Sequence, residues 1–306
     1  MIIMDSEHKH CISLANESVK RSKKKAEKDP LRPVYHITAP ANWLSDPNGA
    51  IFYEDRYHLF FQHNPFDYKW GNMSWGHVVS KDLVFWEHLP VALTPIPESY
   101  DKDGVFSGCC VDNDGVPTII YTGVSPEVQC IADSYDGLRT WSKCPQNPVI
   151  LKPPQKNLVG FRDPYVWKER NKWFMVIGSG IKNKGGTVLL YKSEDLKNWK
   201  YLHPLCHGEG EMWECPNFFR RGDKYVLIIS PHGDVQYSIG TFQDDKFQPG
   251  EWFPLDLGGE ENFYAPHGFK DARGRYILWG WIKGGGTQGY PWNSLLTLPR
   301  VDRKSV

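Results

Sequence analysis

The run Trp173-Phe174-Met175-Val176-Ile177-Gly178-Ser179, followed after a polar stretch by Ser193-Glu194-Asp195-Leu196-Lys197-Asn198-Trp199, decides the fold of this 306-residue chain. A short apolar run rich in β-branched and aromatic side chains, closed by Gly and Ser, reads as a strand. Similar runs begin at His58, Thr118, Tyr225 and Tyr276, so the five starts lie 60, 55, 52 and 51 residues apart. Four of the runs lead into a polar turn and a tryptophan, namely Trp86 after Ser80-Lys81-Asp82-Leu83, then Trp141, Trp199 and Trp252. A repeat of this length, built of short strands and turn residues, predicts an all-β propeller of four-stranded blades. Five copies predict five blades.

Three carboxylates recur along the repeat: Asp46 in Trp43-Leu44-Ser45-Asp46-Pro47-Asn48-Gly49, Asp163 in Phe161-Arg162-Asp163-Pro164, and Glu214 in Trp213-Glu214-Cys215-Pro216. Each precedes an apolar run by 10 to 12 residues, which assigns all three to matching places on first strands. First strands of a propeller line its central channel. The acids of the first, third and fourth blades then converge on the axis, with Phe106-Ser107-Gly108 and Tyr264-Ala265-Pro266 at the corresponding places of the second and fifth. Converging acids of this kind suit the cleavage of glycosidic bonds.

Composition bounds the remaining possibilities. With 40% hydrophobic and 14% aromatic residues the chain can bury a sizeable core, and five blades fit one domain, expected over residues 31–306. Lys+Arg and Asp+Glu both number 36, a balance that favours neither nucleic acid nor an anionic membrane as a partner. Residues 1–30 read as a polar tail. Its stretch from Ile12 to Lys28 ends in Lys23-Lys24-Lys25, has no apolar run long enough for a signal peptide or a span, and reads as a short solvated helix. Seven cysteines without a Cys-x-x-Cys pair read as reduced thiols, and the cytoplasm as their compartment.

Together these motifs resemble glycoside hydrolase family 32, the β-fructofuranosidases that include invertases and sucrose-6-phosphate hydrolases. Trp43 to Gly49, Phe106-Ser107-Gly108, Arg162-Asp163-Pro164 and Glu214-Cys215-Pro216 occur in the family's order, together with Phe61-Gln62-His63-Asn64-Pro65 and Trp70-Gly71-Asn72-Met73-Ser74-Trp75-Gly76-His77. The likeness runs from about residue 30 to Leu298-Pro299-Arg300, and Asp29-Pro30-Leu31-Arg32-Pro33 after a polar helix looks most like the intracellular bacterial members. The resemblance implies that Asp46 is the nucleophile, Glu214 the acid/base with a pKa raised by neighbouring carboxylates, and Asp163 the stabiliser of the transition state. It also implies that Asn48, Gln62, Trp70, Phe106, Ser107 and Arg162 hold the fructosyl ring, and that Cys215 tunes the acids rather than attacking. No metal or organic cofactor is implied, and the expected partner is a small sugar.

Two departures from the family pattern stand out. Ser45 precedes the nucleophile where Asn is usual, which bears on the balance between hydrolysis and fructosyl transfer. The family's C-terminal β-sandwich is expected to be absent or truncated. The reading is therefore of a retaining, exo-acting enzyme on sucrose, with a fructosyltransferase or a hydrolase of inulin or levan as the alternative, and a non-catalytic sugar-binding propeller as the alternative from another class.

Overall fold

The computed structural model describes residues 2–302; the expected starts and ends of tail and propeller at residue 1 and at 303–306 lie outside them. Five antiparallel sheets succeed one another along the chain. Blade one comprises β1 (Asn42–Tyr53), β2 (Arg56–Asn64), β3 (Ser74–Ser80) and β4 (Trp86–Leu93), and blade two β5 (Gly104–Asn113), β6 (Val116–Val124), β7 (Val128–Asp133) and β8 (Ser142–Lys143). Blade three comprises β9 (Leu158–Glu169), β10 (Lys172–Ile181), β11 (Gly185–Ser193) and β12 (Trp199–Gly208), and blade four β13 (Glu214–Arg221), β14 (Lys224–Ser230), β15 (Gln236–Gln243) and β16 (Lys246–Pro254). In blade five, β17 (Tyr264–Lys270) and β18 (Tyr276–Ile282) pair with the short β20 (Leu295–Leu296) and β21 (Arg300–Val301). The strands β1, β5, β9, β13 and β17 each contact the next, and β17 returns to β1, so the first strands enclose the axis of a five-bladed propeller.

The five apolar runs of the sequence are the five second strands, and they are apolar throughout because both faces are covered by neighbouring blades. In β10 every residue from Trp173 to Ile181 is buried. Close approach between blades requires two glycines of this strand. A Cβ at Gly178 would stand 2.4 Å from the Trp213 carbonyl oxygen, and one at Gly180 1.9 Å from that of Glu211. The segment entering β13 can therefore lie directly on β10, which seats the acid of blade four against blade three.

The tryptophan-terminated turns share one hydrogen-bonding scheme. Ser80 Oγ and Ser193 Oγ each lie 3.1 Å from the carboxylate of Asp82 or Asp195, which accepts backbone N–H groups further round the turn. The indole N–H of Trp86 and Trp199 then donates to the carbonyls of Leu83 and Leu196. Ser134 and Asp136 repeat the Ser–Asp part in blade two, where the Trp141 indole N–H has no partner among the described residues, whereas the expectation for Trp252 is corrected: it lies within β16 opposite Ser238, after a hairpin that turns at Asp244-Asp245. Leu83, Leu138 and Leu196 take left-handed φ values of 69°, 62° and 64°, a conformation that leucine adopts only where its surroundings fix it.

The ring closes between blades five and one. Strand β19 (Trp292–Asn293) runs parallel to the start of β1, the Asn42 N–H donates to the Pro291 carbonyl at 2.7 Å, and the buried Trp292 Nε1 donates to Asp29 at 2.7 Å. The Leu296 N–H reaches the Ile37 carbonyl at 2.9 Å. Residues on either side of the propeller thus lock each other.

The N-terminal helix α1 (Ile2–Ala26) differs from the short solvated helix expected. It has 25 residues and packs along β4. Ala15, Val19 and Ala26 are buried, Asn16 Oδ1 accepts the Val91 N–H at 3.0 Å, and the buried His8 Nε2 accepts that of Thr94 at 3.3 Å. So few apolar residues mark the docked face because polar side chains satisfy the edge of β4 there, and a hydrophobic period does not register such contacts.

Candidate active site

Each first strand is interrupted at the same place. Phe106, Arg162, Glu214 and Tyr264 pair with Thr122, Gly178, Ser230 and Trp281, and the register then slips by one residue. Blade one slips in the same region, between Leu44 and Pro47. In three blades the next residue takes a positive φ, 64° at Asp163, 45° at Cys215 and 45° at Ala265, and a proline follows. A bulge of this kind bends the strand and re-aims its side chains, here toward the axis. Asp46 and Asp163 precede their prolines directly, whereas Glu214 stands one residue earlier, in the place of Arg162, Tyr264 and Phe106. The expectation of matching places is corrected accordingly: the acids occupy two adjacent positions of the repeat, so they face one another from different heights.

The axis holds two cavities. The larger, about 610 Å³, lies among the later residues of the first strands and is walled by Trp167, Phe219 and Phe269 with Lys168, Arg220 and Lys270. The smaller, about 340 Å³, opens among the bulges and contains all three carboxylates. Chemistry marks the smaller one, where one buried and two half-buried acids have been brought together. Gln62, Trp70, Phe106, Ser107 and Arg162 also line it, with Ser45, Met73, Tyr264 and Trp281. Asn48 does not reach it. Only 1% exposed, Asn48 lies beneath the floor beside Gln62 and Gly108; in the amide orientation that matches donors to acceptors, its oxygen accepts from Gln62 Nε2 and N at 3.2 Å and its NH₂ donates to the Pro47 carbonyl at 3.1 Å. The expectation that it contacts a sugar ring is corrected to a supporting position under Gln62.

Every carboxylate has its own set of partners. Asp46 accepts from Ser107 Oγ at 2.7 Å, and Asp163 accepts from the Cys215 N–H at 3.0 Å while its own N–H donates to Thr122 Oγ1. The Cys215 thiol lies between these two acids, 3.8 Å from Asp46 and 3.6 Å from Asp163, and burial together with their charges holds it protonated. Glu214 is gripped more tightly. Arg162 Nη2 and Nε donate to its Oε1 at 2.7 and 3.2 Å, the Tyr264 hydroxyl donates to Oε2 at 2.7 Å, and His232 Nε2 lies 3.7 Å from Oε2. The other side of the Arg162 guanidinium meets Glu127 at 2.8 Å.

These surroundings separate the acids. Burial, with Glu214 nearby, pushes the carboxyl of Asp46 up to about 6 despite the Ser107 hydrogen bond. Burial and the two other acids push that of Asp163 up to about 7 against the pull of Arg162. For Glu214 burial acts upward too, but the Arg162 charge and the Tyr264 hydroxyl outweigh it and its pKa falls below the ordinary value. The expected rise at Glu214 is therefore corrected: the neighbouring cation, not the neighbouring acids, governs it. Tyr264, Trp281 and Glu127 were not singled out as site residues in the sequence. Tyr264 was legible in principle, since it holds the repeat position of Glu214; Glu127 belongs to a hairpin that carries no repeat signal.

Fold and site define a propeller whose axial cavity presents three acids on its repeated first strands. The model of the glycosyl hydrolases family 32 N-terminal domain matches residues 36–302, and the chain belongs to that family. It is 41% identical to a sucrose-6-phosphate hydrolase of Escherichia coli, over 82% of this chain and 57% of that protein, and 39% identical to a raffinose invertase of the same organism, over 88% and 61%. The chain thus spans less than two thirds of these relatives' length. Among solved structures it resembles a GH32 β-fructofuranosidase of Bombyx mori with a TM-score of 0.83 and 35% identity, over 94% of this chain and 67% of that one. Among the described residues no helix is long and apolar enough to cross a membrane.

Proposed function

We propose that this chain is a retaining, exo-acting glycoside hydrolase that releases terminal non-reducing β-D-fructofuranosyl units, with sucrose as substrate. The observation that carries this reading is the meeting of Asp46, Asp163 and Glu214, from three blades, in one cavity of about 340 Å³. Membership of the family and the names of the relatives support the sugar class. Residues 31–306 act as the catalytic unit and residues 1–30 as a tail braced on it. Seven free cysteines suit a reducing compartment, and we assign the protein to the cytoplasm.

In the proposed cycle Asp46, as the carboxylate, attacks the anomeric carbon of the fructosyl ring while Glu214 gives its proton to the departing glycosidic oxygen. The fructosyl ester on Asp46 is then opened by water, whose proton returns to Glu214, so the free acid and carboxylate are restored and configuration is retained. Asp163 accepts hydrogen bonds from ring hydroxyls, Trp70 and Phe106 supply an apolar wall, and Gln62, Ser107 and Arg162 orient the ring and the acids. Burial makes Asp46 and Asp163 hold a proton more readily than Glu214, whose carboxylate Arg162 and Tyr264 favour. A sugar that enters between Glu214 and Arg162 weakens their contact and lets the proton pass to Glu214.

The reading is tested by incubating the purified protein with sucrose and with sucrose 6-phosphate, alongside Asp46→Asn, and following free glucose (or glucose 6-phosphate) and free fructose. Equal release by the wild type alone is expected. An excess of the glucosyl product over fructose would make the chain a fructosyltransferase, an outcome on which Ser45 bears. Binding of sugar with no product from these substrates, inulin or levan would overturn the enzyme reading.

A further inference from the structure

Glu127 stands at the turn between β6 and β7, and its two oxygens face the strand that carries Arg162. Oε1 accepts from Arg162 Nη1 at 2.8 Å and Oε2 from the Phe161 N–H at 2.5 Å. The opposite edge of the same guanidinium binds Glu214. One cation therefore bridges carboxylates from blades two and four, and its plane is pinned from both sides. The side chains of Arg162 and Glu127 are 20% and 23% exposed, so water screens the bridge only in part.

The groups that face Glu214 come from four directions. Arg162 on β9, the Tyr264 hydroxyl on β17 and, when protonated, His232 after β14 all favour the carboxylate. Asp46 on β1 and Asp163 on β9, when ionised, oppose it from across the cavity. Lys283 lies over the Tyr264 ring but is paired with Glu260. With Arg162 bound to Glu214 alone, the acid would be a closed, bidentate ion pair, poorly suited to carrying a proton. We propose that Glu127 is a positioning residue: by sharing Arg162 it fixes the guanidinium and draws off enough of its charge for Glu214 to be protonated in the working cycle. The proposal rests on the reading of Glu214 as the acid/base.

The test compares wild type with Glu127→Gln, Glu127→Asp and, as a control, Glu214→Gln. Both kcat/KM for sucrose against pH and the titration of the Glu214 carboxyl by ¹³C NMR are measured. In Glu127→Gln an amide with one acceptor oxygen cannot serve both donors, and Arg162 turns its whole charge on Glu214. The Glu214 titration and the limb of the profile that Glu214 sets are then expected to move down by roughly one pH unit, with about a tenfold loss of kcat/KM on the alkaline side of that limb. Glu127→Asp keeps the charge and is expected to restore the limb toward wild type. A limb and a titration that superimpose on wild type in Glu127→Gln, even with activity reduced, would overturn the proposal and leave Glu127 as a brace of its hairpin. Full activity in Glu214→Gln would sink the functional reading instead. Should the wild type cleave no fructoside, the NMR titration decides alone, an unmoved Glu214 counting against the bridge and a lowered one for it.

Discussion

At Asp46 burial and electrostatics leave a carboxyl that is easier to protonate in the folded chain than in the unfolded one, with a pKa raised from 3.8 to about 6. Such a group favours the native state while protonated. Its contribution is full below about 3.8 and is lost as pH rises through about 6. An amide stays neutral throughout, so Asp46→Asn is expected to stabilise the protein at pH 7 by up to about 3 kcal/mol, with the gain vanishing near pH 4. Thermal denaturation of both proteins across that range checks it; equal midpoints at neutral pH would mean that the acid is not held against its ionisation. Glu214 has the opposite bias, and the Tyr264 hydroxyl is one of its causes. Tyr264→Phe removes a charge-assisted hydrogen bond of about 1.5 kcal/mol, so the Glu214 titration and the limb of kcat/KM that Glu214 sets are expected to move up by about one unit. Its direction is opposite to that expected for Glu127→Gln, which makes the two variants a paired check on what controls the acid/base.

Elements of this chain are fixed by their turns as much as by their apolar runs. Leu196 is 1% exposed and sits at φ 64° in the turn that Ser193, Asp195 and Trp199 tie together. Truncation to alanine loses the burial, about 2–5 kcal/mol, and keeps the strained backbone. Truncation to glycine loses the same burial and relieves the strain by about 1 kcal/mol. Leu196→Gly is therefore expected to unfold at a denaturant concentration equal to or above that of Leu196→Ala, a reversal of the usual order for the two residues. The strand repeat was legible in the sequence for a related reason. A second strand covered on both faces must be largely apolar, and in the first three blades the turn after the third strand supplies Ser, Asp and Trp in order. Asp46, Asp163 and Glu214 could be read because each stands 10 to 12 residues before one of these apolar runs. Helix α1 hid its docking, since Asn16 and His8 meet β4 by hydrogen bonds that no hydrophobic period records. The charge state of Glu214 was equally hidden, because it depends on which end of Arg162 a residue from another blade occupies.

On the scale of the whole molecule, the catalytic geometry depends on a seam that touches none of the three acids. Asp46 is carried by blade one, which is joined to blade five by β19, by Trp292 bonded to Asp29, and by the Leu296 N–H bonded to the Ile37 carbonyl. Blades three and four, which carry Asp163 and Glu214, are reached from blade one round the ring in either direction. If the seam slackens, blade one is held to blade five only by the packing of β1 on β17 and β18, and Asp46 can drift from Glu214 while every sheet remains folded. Trp292, 2% exposed, is the largest side chain at the seam, and Trp292→Ala is expected to cost about 3–5 kcal/mol. Leu196→Ala, in a turn of blade three remote from the seam, has a similar expected cost and so serves as the comparison. At a temperature where both variants are folded by circular dichroism, Trp292→Ala is expected to lose at least tenfold in kcat, because alignment within a fraction of an ångström separates productive from unproductive acids. Leu196→Ala is expected to keep kcat within about twofold, its loss confined to the unfolding midpoint. Limited proteolysis gives the second readout, with cleavage of Trp292→Ala expected first in the glycine-rich segment Gly284-Gly285-Gly286 beside the seam. Equal kcat in the two variants would mean that the packing of β1 on its neighbouring first strands holds Asp46 and Glu214 together without the Trp292 seam.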